Sequence, residues 1–173
     1  MPKKEVDGRG GDGGDQRREA ERFVRTYSDL ILRLSYTYLH STYDAQDVCQ
    51  TVFLKMLTRR PQFEGEGHER AWVIRVTANA CKDLLRRADK RVLCLDDVAE
   101  PPAPDDGAHE RQTVLDAVMS LPEAYREVVY LHYFEGYPIR DVARLVNVGE
   151  AAATKRLSRA RDMLRERIGD SDD

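Results

Sequence analysis

Between Tyr137 and Ile168 the chain carries two helical patterns separated by a very short break, and no other stretch constrains the fold as tightly. In the first pattern Ile139, Val142, Ala143 and Val146 recur at i, i+3, i+4 and i+7, the spacing of one apolar helix face. The break is Asn147-Val148-Gly149. Asn tolerates a left-handed backbone at a helix end, and Gly can start the next helix. The second pattern places Ala153, Leu157, Ala160 and Leu164 inward and leaves Lys155, Arg156, Arg159, Arg161 and Arg165 on its outer faces. Two helices joined this way, the second one basic, read as a helix-turn-helix, a unit that lays its second helix in a DNA major groove. Ala143 lets the helices cross closely, and Ala151 and Ala152 let the second helix's first turn approach base edges. The competing reading is a helical hairpin whose charged face is simply solvated. The sign of the charge favours the first: from Glu150 to Ile168 there are six Lys/Arg against three Asp/Glu, in a chain of net charge −3.

A length of 173 residues allows one domain or two small ones. Hydrophobic content of 41% suffices for packed cores, while 34% charged residues point to small helical units with large wet surfaces. The scarcity of β-type alternation makes the expected fold all-α. Overall acidity argues against indiscriminate coating of nucleic acid, although local patches matter more than the total. Cys49, Cys81 and Cys94 have no metal-type spacing and read as reduced cytosolic thiols that serve as small hydrophobes. A zinc or redox role for them with His40, His68, His109 or His132 is the weaker alternative. No apolar run long enough to span a membrane and no signal peptide is evident, so the chain is expected in the cytoplasm.

Residues 1–16 are rich in Gly and Asp without periodicity and read as a disordered tail. An N-terminal helical domain is expected over 17–93. Its first helix, Arg17 to His40, has Phe23, Tyr27, Leu30, Ile31, Leu34 and Tyr38 on one face. Ser41-Thr42 offers a cap for a second helix that runs to about Arg60, with Val48, Val52, Phe53, Met56 and Leu57 as its stripe and Pro61 as its stop. After the loop 62–67 a third helix, His68 to Arg87, repeats Ala71, Ile74, Ala78, Cys81 and Leu85 at helical spacing. From His68 to Arg91 there are seven Lys/Arg against three Asp/Glu, a second basic region, although an ordinary amphipathic helix would look the same. Residues 94–111, with three prolines and six acids, read as a flexible acidic linker. A C-terminal domain is expected over 112–169: a short helix with Val114, Leu115 and Val118 inward, a second opening at Pro122 and stopped by Glu135-Gly136, and then the hairpin. His132 reads as a core-edge side chain, and 170–173 as an acidic fray. No phosphate loop, nucleophilic triad or paired carboxylates emerges, so no enzyme, cofactor, metal or small-molecule substrate is expected.

Taken together the two modules resemble bacterial RNA polymerase sigma factors of the extracytoplasmic-function (ECF, group IV) family. DAQDVCQTVFL at 44–54 resembles the family's D-A-x-D-x-x-Q-x-x-F-L segment. Phe63-Glu64-Gly65 with Trp72, Ile74, Arg75, Asn79 and the Asp83 to Arg87 run resembles the segment that follows. Leu121-Pro122, Tyr125-Arg126 and the helix-turn-helix resemble the fourth conserved region. Thr154 stands where many relatives carry Lys or Arg, Asn147 replaces the usual turn Gly, and Gly149 replaces a Ser or Thr cap.

The resemblance implies an N-terminal domain that docks on the β′ clamp helices and opens the −10 element, and a C-terminal domain on the β flap that reads the −35 element. By position, Asp44, Asp47, Gln50 and Phe53 fall in the docking segment. Phe63, Glu64, Gly65, Arg75, Asn79 and Lys82 fall where the displaced −10 strand is bound. Glu150, Ala151, Thr154, Lys155, Arg156, Arg159 and Arg161 fall on the −35 recognition helix. Arg156 is equally placed to turn back toward its own domain. The implied partners are core RNA polymerase, promoter DNA and an anti-sigma factor, often membrane-bound. Two rivals remain: an autonomous helix-turn-helix regulator that binds an operator without polymerase, and a helical interaction protein with no DNA role.

Overall fold

The computed structural model describes residues 12–92 and 111–169. They form α1 (Asp12–Leu39), α2 (Thr42–Arg59), α3 (Glu66–Val92), α4 (Arg111–Met119), α5 (Glu123–Val129), a π-helical turn (Tyr130–Phe134), α6 (Ile139–Leu145) and α7 (Glu150–Gly169). No strand occurs among the described residues, so the all-α expectation holds. The expected tail over 1–16 lies outside the described residues as far as residue 11. From Asp12 onward the chain is helical, five residues ahead of the expected start at Arg17. The first turn of a helix has no intrahelical N–H bonds to lose, so Gly13 and Gly14 cost little there, and an Arg17–Glu21 pair at 2.9 Å supports the next turn. The expected linker lies outside the described residues except for Arg111, as does the fray at 170–173.

Helices α1, α2 and α3 pack on one another around Phe23, Tyr27, Ile31, Leu34, Val52 and Ile74, all buried. The Phe23 ring meets Tyr27 at 4.9 Å in a tilted pair and Phe53 at 6.0 Å and Trp72 at 6.3 Å edge-on, an aromatic cluster that ties the three helices together. At the start of α2 the Asp44 N–H donates to the Ser41 hydroxyl at 3.2 Å, the expected cap. At its end Arg60 takes a left-handed φ of 45° just before Pro61. Leu57 corrects the expected apolar stripe of α2: it is 48% exposed, because α1 and α3 cover only the Val48–Val52–Met56 side.

Helix α7 packs against α4, α5 and α6. Val128, Leu131, Val142 and Leu157 are buried, and the close helix contacts use Ala143, Ala153 and Ala160. Val114 and Leu115 of α4, expected inward, are about half exposed, since Ala117 and Val118 occupy the covered side. The helix after Pro122 does not run evenly to Glu135. It passes into a π turn in which the Glu135 N–H reaches the Tyr130 carbonyl at 3.1 Å. The extra residue shifts the register, so Tyr130 and Leu131 stay buried while Tyr133 and Phe134 face outward. Gly136, at φ 75°, closes the turn.

The two groups of helices also touch, α1 against α5 and α3 against α6, within one continuous apolar cluster.

Candidate DNA-facing and polymerase-facing surfaces

The helix-turn-helix forms as its sequence dictates. Helix α6 ends with Asn147 in the left-handed region at φ 57°, and the Val148 N–H returns to the Ala143 carbonyl at 2.9 Å. This six-to-one bond around a left-handed residue is the Schellman stop, with Asn in the place usually taken by Gly. Helix α7 then starts at Glu150, and Ala153, Leu157 and Ala160 bury its inner face. Glu150, Ala151, Thr154, Lys155 and Arg159 are exposed on the outer face, where the recognition reading needs them. The other two expected contacts are engaged within the protein. The Arg161 Nε–H donates to the Tyr133 hydroxyl at 2.6 Å, and its guanidinium lies 5.6 Å from that ring. Arg156 turns inward, and its Nη1 donates to Glu127 at 3.2 Å. Of the two roles open to Arg156, this structure displays the inward one.

On α3, Arg75 and Asn79 are exposed one turn apart. Lys82, three residues on, instead meets the Glu127 carboxylate at 2.8 Å. The loop before α3 is well built: the Phe63 ring packs edge-on against Trp72 at 5.6 Å and His68 at 5.7 Å, and the Glu64 N–H donates to His68 Nδ1 at 3.2 Å. Gly65 sits at φ 133°, a conformation that side chains rarely adopt. Beside this loop a cleft of about 470 Å³ is lined by Met56, Leu57, Pro61, Phe63, Glu19 and Glu69, among others. Glu69 is held by a two-pronged ion pair from Arg22, at 2.8 and 3.0 Å, which fixes α1 to the start of α3 next to the cleft.

On α2, Asp47 and Gln50 are exposed, Asp44 is partly covered, and Phe53 is drawn toward Phe23, so Phe53 serves the interior as much as the surface. The structure adds what the sequence reading missed. Tyr43 (73% exposed), Leu54 (61%) and Leu57 lie on the Asp47–Gln50 face, giving an alternation of four and three residues over 43, 47, 50, 54 and 57. That is the spacing of a seam that packs against another helix. It was visible in the sequence, hidden only by the assumption that apolar residues point inward.

Cys49 and Cys81 are buried, and burial pushes the Cys81 thiol up to about 12, so both behave as hydrophobes. Cys94 lies outside the described residues. His132 Nδ1 lies 2.8 Å from the Tyr137 carbonyl, in keeping with a core-edge role. Among the described residues no cluster of His, Cys, Asp or Glu is arranged to hold a metal, and no helix is long and apolar enough to cross a membrane.

Residues 23–91 match the family model for sigma-70 region 2, and residues 111–164 match that for sigma-70 region 4. The chain is 32% identical to the RNA polymerase sigma factor CarQ of Myxococcus xanthus over 131 residues, covering 73% of this chain and 75% of CarQ. It is 24% identical over 173 residues to the ECF RNA polymerase sigma factor SigW of Bacillus subtilis, covering 91% and 92%. The probable RNA polymerase sigma factor RfaY of Xanthomonas campestris is 28% identical over 158 residues, which is 85% of this chain but 40% of that protein. In fold the chain is similar to the sigma factor RpoE of Bartonella quintana, solved in complex with the anti-sigma factor NepR, with a TM-score of 0.72, 21% identity and coverage of 88% of this chain and 98% of that one. The chain belongs to the sigma-70 family of RNA polymerase sigma factors, in its extracytoplasmic-function group.

Proposed function

We propose that the chain binds core RNA polymerase and positions it on promoters through two domains, 17–93 for polymerase docking and the −10 element and 112–169 for the −35 element. The observation that carries this reading is the pairing of a correctly terminated helix-turn-helix, with Thr154, Lys155 and Arg159 exposed on α7, and a second nucleic-acid-compatible face on α3. In this reading Lys155 and Arg159 reach base edges and phosphates in the −35 major groove, while Glu150, Ala151 and Thr154 line the approach. Arg156 and Arg161 join them once released from Glu127 and Tyr133.

At the other end Phe63 lines the cleft with Glu64 and Gly65 next to it in the chain, and these three with Arg75, Asn79 and Lys82 track the displaced −10 strand. The α2 seam, with Asp44, Asp47, Gln50 and the adjoining Phe53, would meet the β′ clamp helices, with Tyr43, Leu54 and Leu57 supplying buried area. The β flap would receive the C-terminal domain.

The role is one of binding and positioning, without a catalysed reaction, cofactor or small-molecule substrate, and its place is the cytoplasm. An anti-sigma factor, soluble or membrane-bound, fits the apolar groove of about 440 Å³ where α1 faces α4 and the π turn, lined by Leu32, Tyr36, Leu115, Met119, Tyr130 and Phe134. That the fold neighbour was solved with an anti-sigma factor supports a partner of this class. Exchanging Lys155 and Arg159 together for Ala tests the reading: promoter-directed transcription should fall at least ~10-fold, because each lost base or phosphate contact costs about 1–3 kcal/mol, with polymerase binding retained. Tight operator binding in the absence of polymerase would instead support the autonomous regulator.

A further inference from the structure

The charges of α2 are sorted by sign along its length. Asp44 and Asp47 precede Gln50, while Lys55, Arg59 and the capping Arg60 follow it. None of the five enters an ion pair among the described residues. This order runs beside the seam over 43, 47, 50, 54 and 57, on which Tyr43 is 73% exposed, Leu54 61% and Leu57 48%. Gln50 stands at the midpoint of that seam, seven residues from Tyr43 and seven from Leu57. An apolar residue at each end, an amide in the centre and opposite charges in the two halves make a stripe that is complementary to itself turned end for end.

We propose that the free chain, before it meets polymerase, pairs through α2 with a second copy of itself, the two helices antiparallel and crossing at Gln50. In that arrangement Tyr43 of each copy lies opposite Leu57 of the other. The two Gln50 amides, each carrying a donor and an acceptor, meet on the twofold axis. Asp44 and Lys55 are eleven residues apart, about three helical turns, so they share one edge of the seam. Reversal about Gln50 brings Asp44 of one copy level with Lys55 of the other to within one residue, on that same edge and twice by symmetry. A parallel pairing would set Asp44 beside Asp44 and Lys55 beside Lys55, and like charges disfavour it. Four turns of helix from each copy make a small interface, so the pair is weak and separates on dilution. The seam is also the face assigned above to the β′ clamp helices. On that reading, on which this clause rests, polymerase and the second copy exclude one another.

Sedimentation equilibrium of the full chain without polymerase, from micromolar to submillimolar concentration, tests the pairing, and circular dichroism verifies the helices. The parent chain is expected to approach twice its monomer mass as concentration rises. Lys55→Glu and Asp44→Lys each put like charges at both symmetric contacts and should raise the dimer dissociation constant about tenfold, whereas the double exchange restores opposite signs and should return it to within about threefold of the parent. If Asp44→Lys fails to fold, Leu54→Ser takes its place, weakening the pair through its apolar contact at an exposed site. A parent chain that stays monomeric throughout overturns the proposal. So does a dimer indifferent to Lys55→Glu and Leu54→Ser, or a folded double variant that does not regain the pairing. Core polymerase added to the dimer is expected to take up single chains, and a dimer carried intact onto polymerase would overturn the exclusion. A chain that pairs with itself but does not bind core polymerase would contradict the docking reading and leave the pairing standing.

Discussion

In α1–α3 the helices are long and their interior is aromatic, with the Phe23 ring in contact with Tyr27, Phe53 and Trp72. In α4–α7 the first four elements are short and the contacts rest on Ala143, Ala153, Ala160 and a few Val and Leu side chains. Large rings join helices across a distance and tolerate an exposed seam such as the one on α2. Small residues bring backbones close, which a helix-turn-helix needs if α7 is to be carried rigidly on α6. The two halves share an all-α fold and differ in what they expose, one a long seam on α2 and the other the outer face of α7.

The largest expected effect breaks this comparison from both sides. Phe23→Ala should destabilise by about 3–5 kcal/mol, since it leaves a cavity among three rings in α1–α3. Ala153→Leu, at a site with no exposure, should cost about 1–3 kcal/mol through overpacking and tilt α7 on α6. Chemical denaturation measures both, and equal, small losses would mean that the halves do not differ as described. The smallest effect sharpens it: Asn147→Gly should stabilise by a few tenths to about 1 kcal/mol, because Gly takes the left-handed φ of 57° without strain. A loss of stability there would show that the Asn side chain, rather than the turn, holds the hairpin.

Local features were legible in the sequence because their causes are local. Ser41 as a cap, Arg60-Pro61 as a stop and Asn147 as the left-handed turn residue follow from which backbone groups and φ values each side chain suits. The candidate α7 residues were legible for the same reason, since helical spacing fixes which side chains share a face. What depended on the opposite surface was not legible. Leu57, Val114 and Leu115 look like core until the covering helix is seen to miss them. The π turn has no pattern of its own, and it decides that Tyr133 reaches Arg161. Glu127, an unremarked acid among Tyr125, Val128 and Val129, becomes the meeting point of α1, α3 and α7 only in three dimensions.

The central claim is that this chain confers promoter choice on RNA polymerase. Run-off transcription with purified core polymerase on a genomic promoter pool, with and without the full chain, tests it most directly. Discrete new start sites, each preceded by a common pair of upstream motifs, are the predicted result. A folded protein that binds core polymerase, or fails to bind it, and yields no new starts would contradict the account.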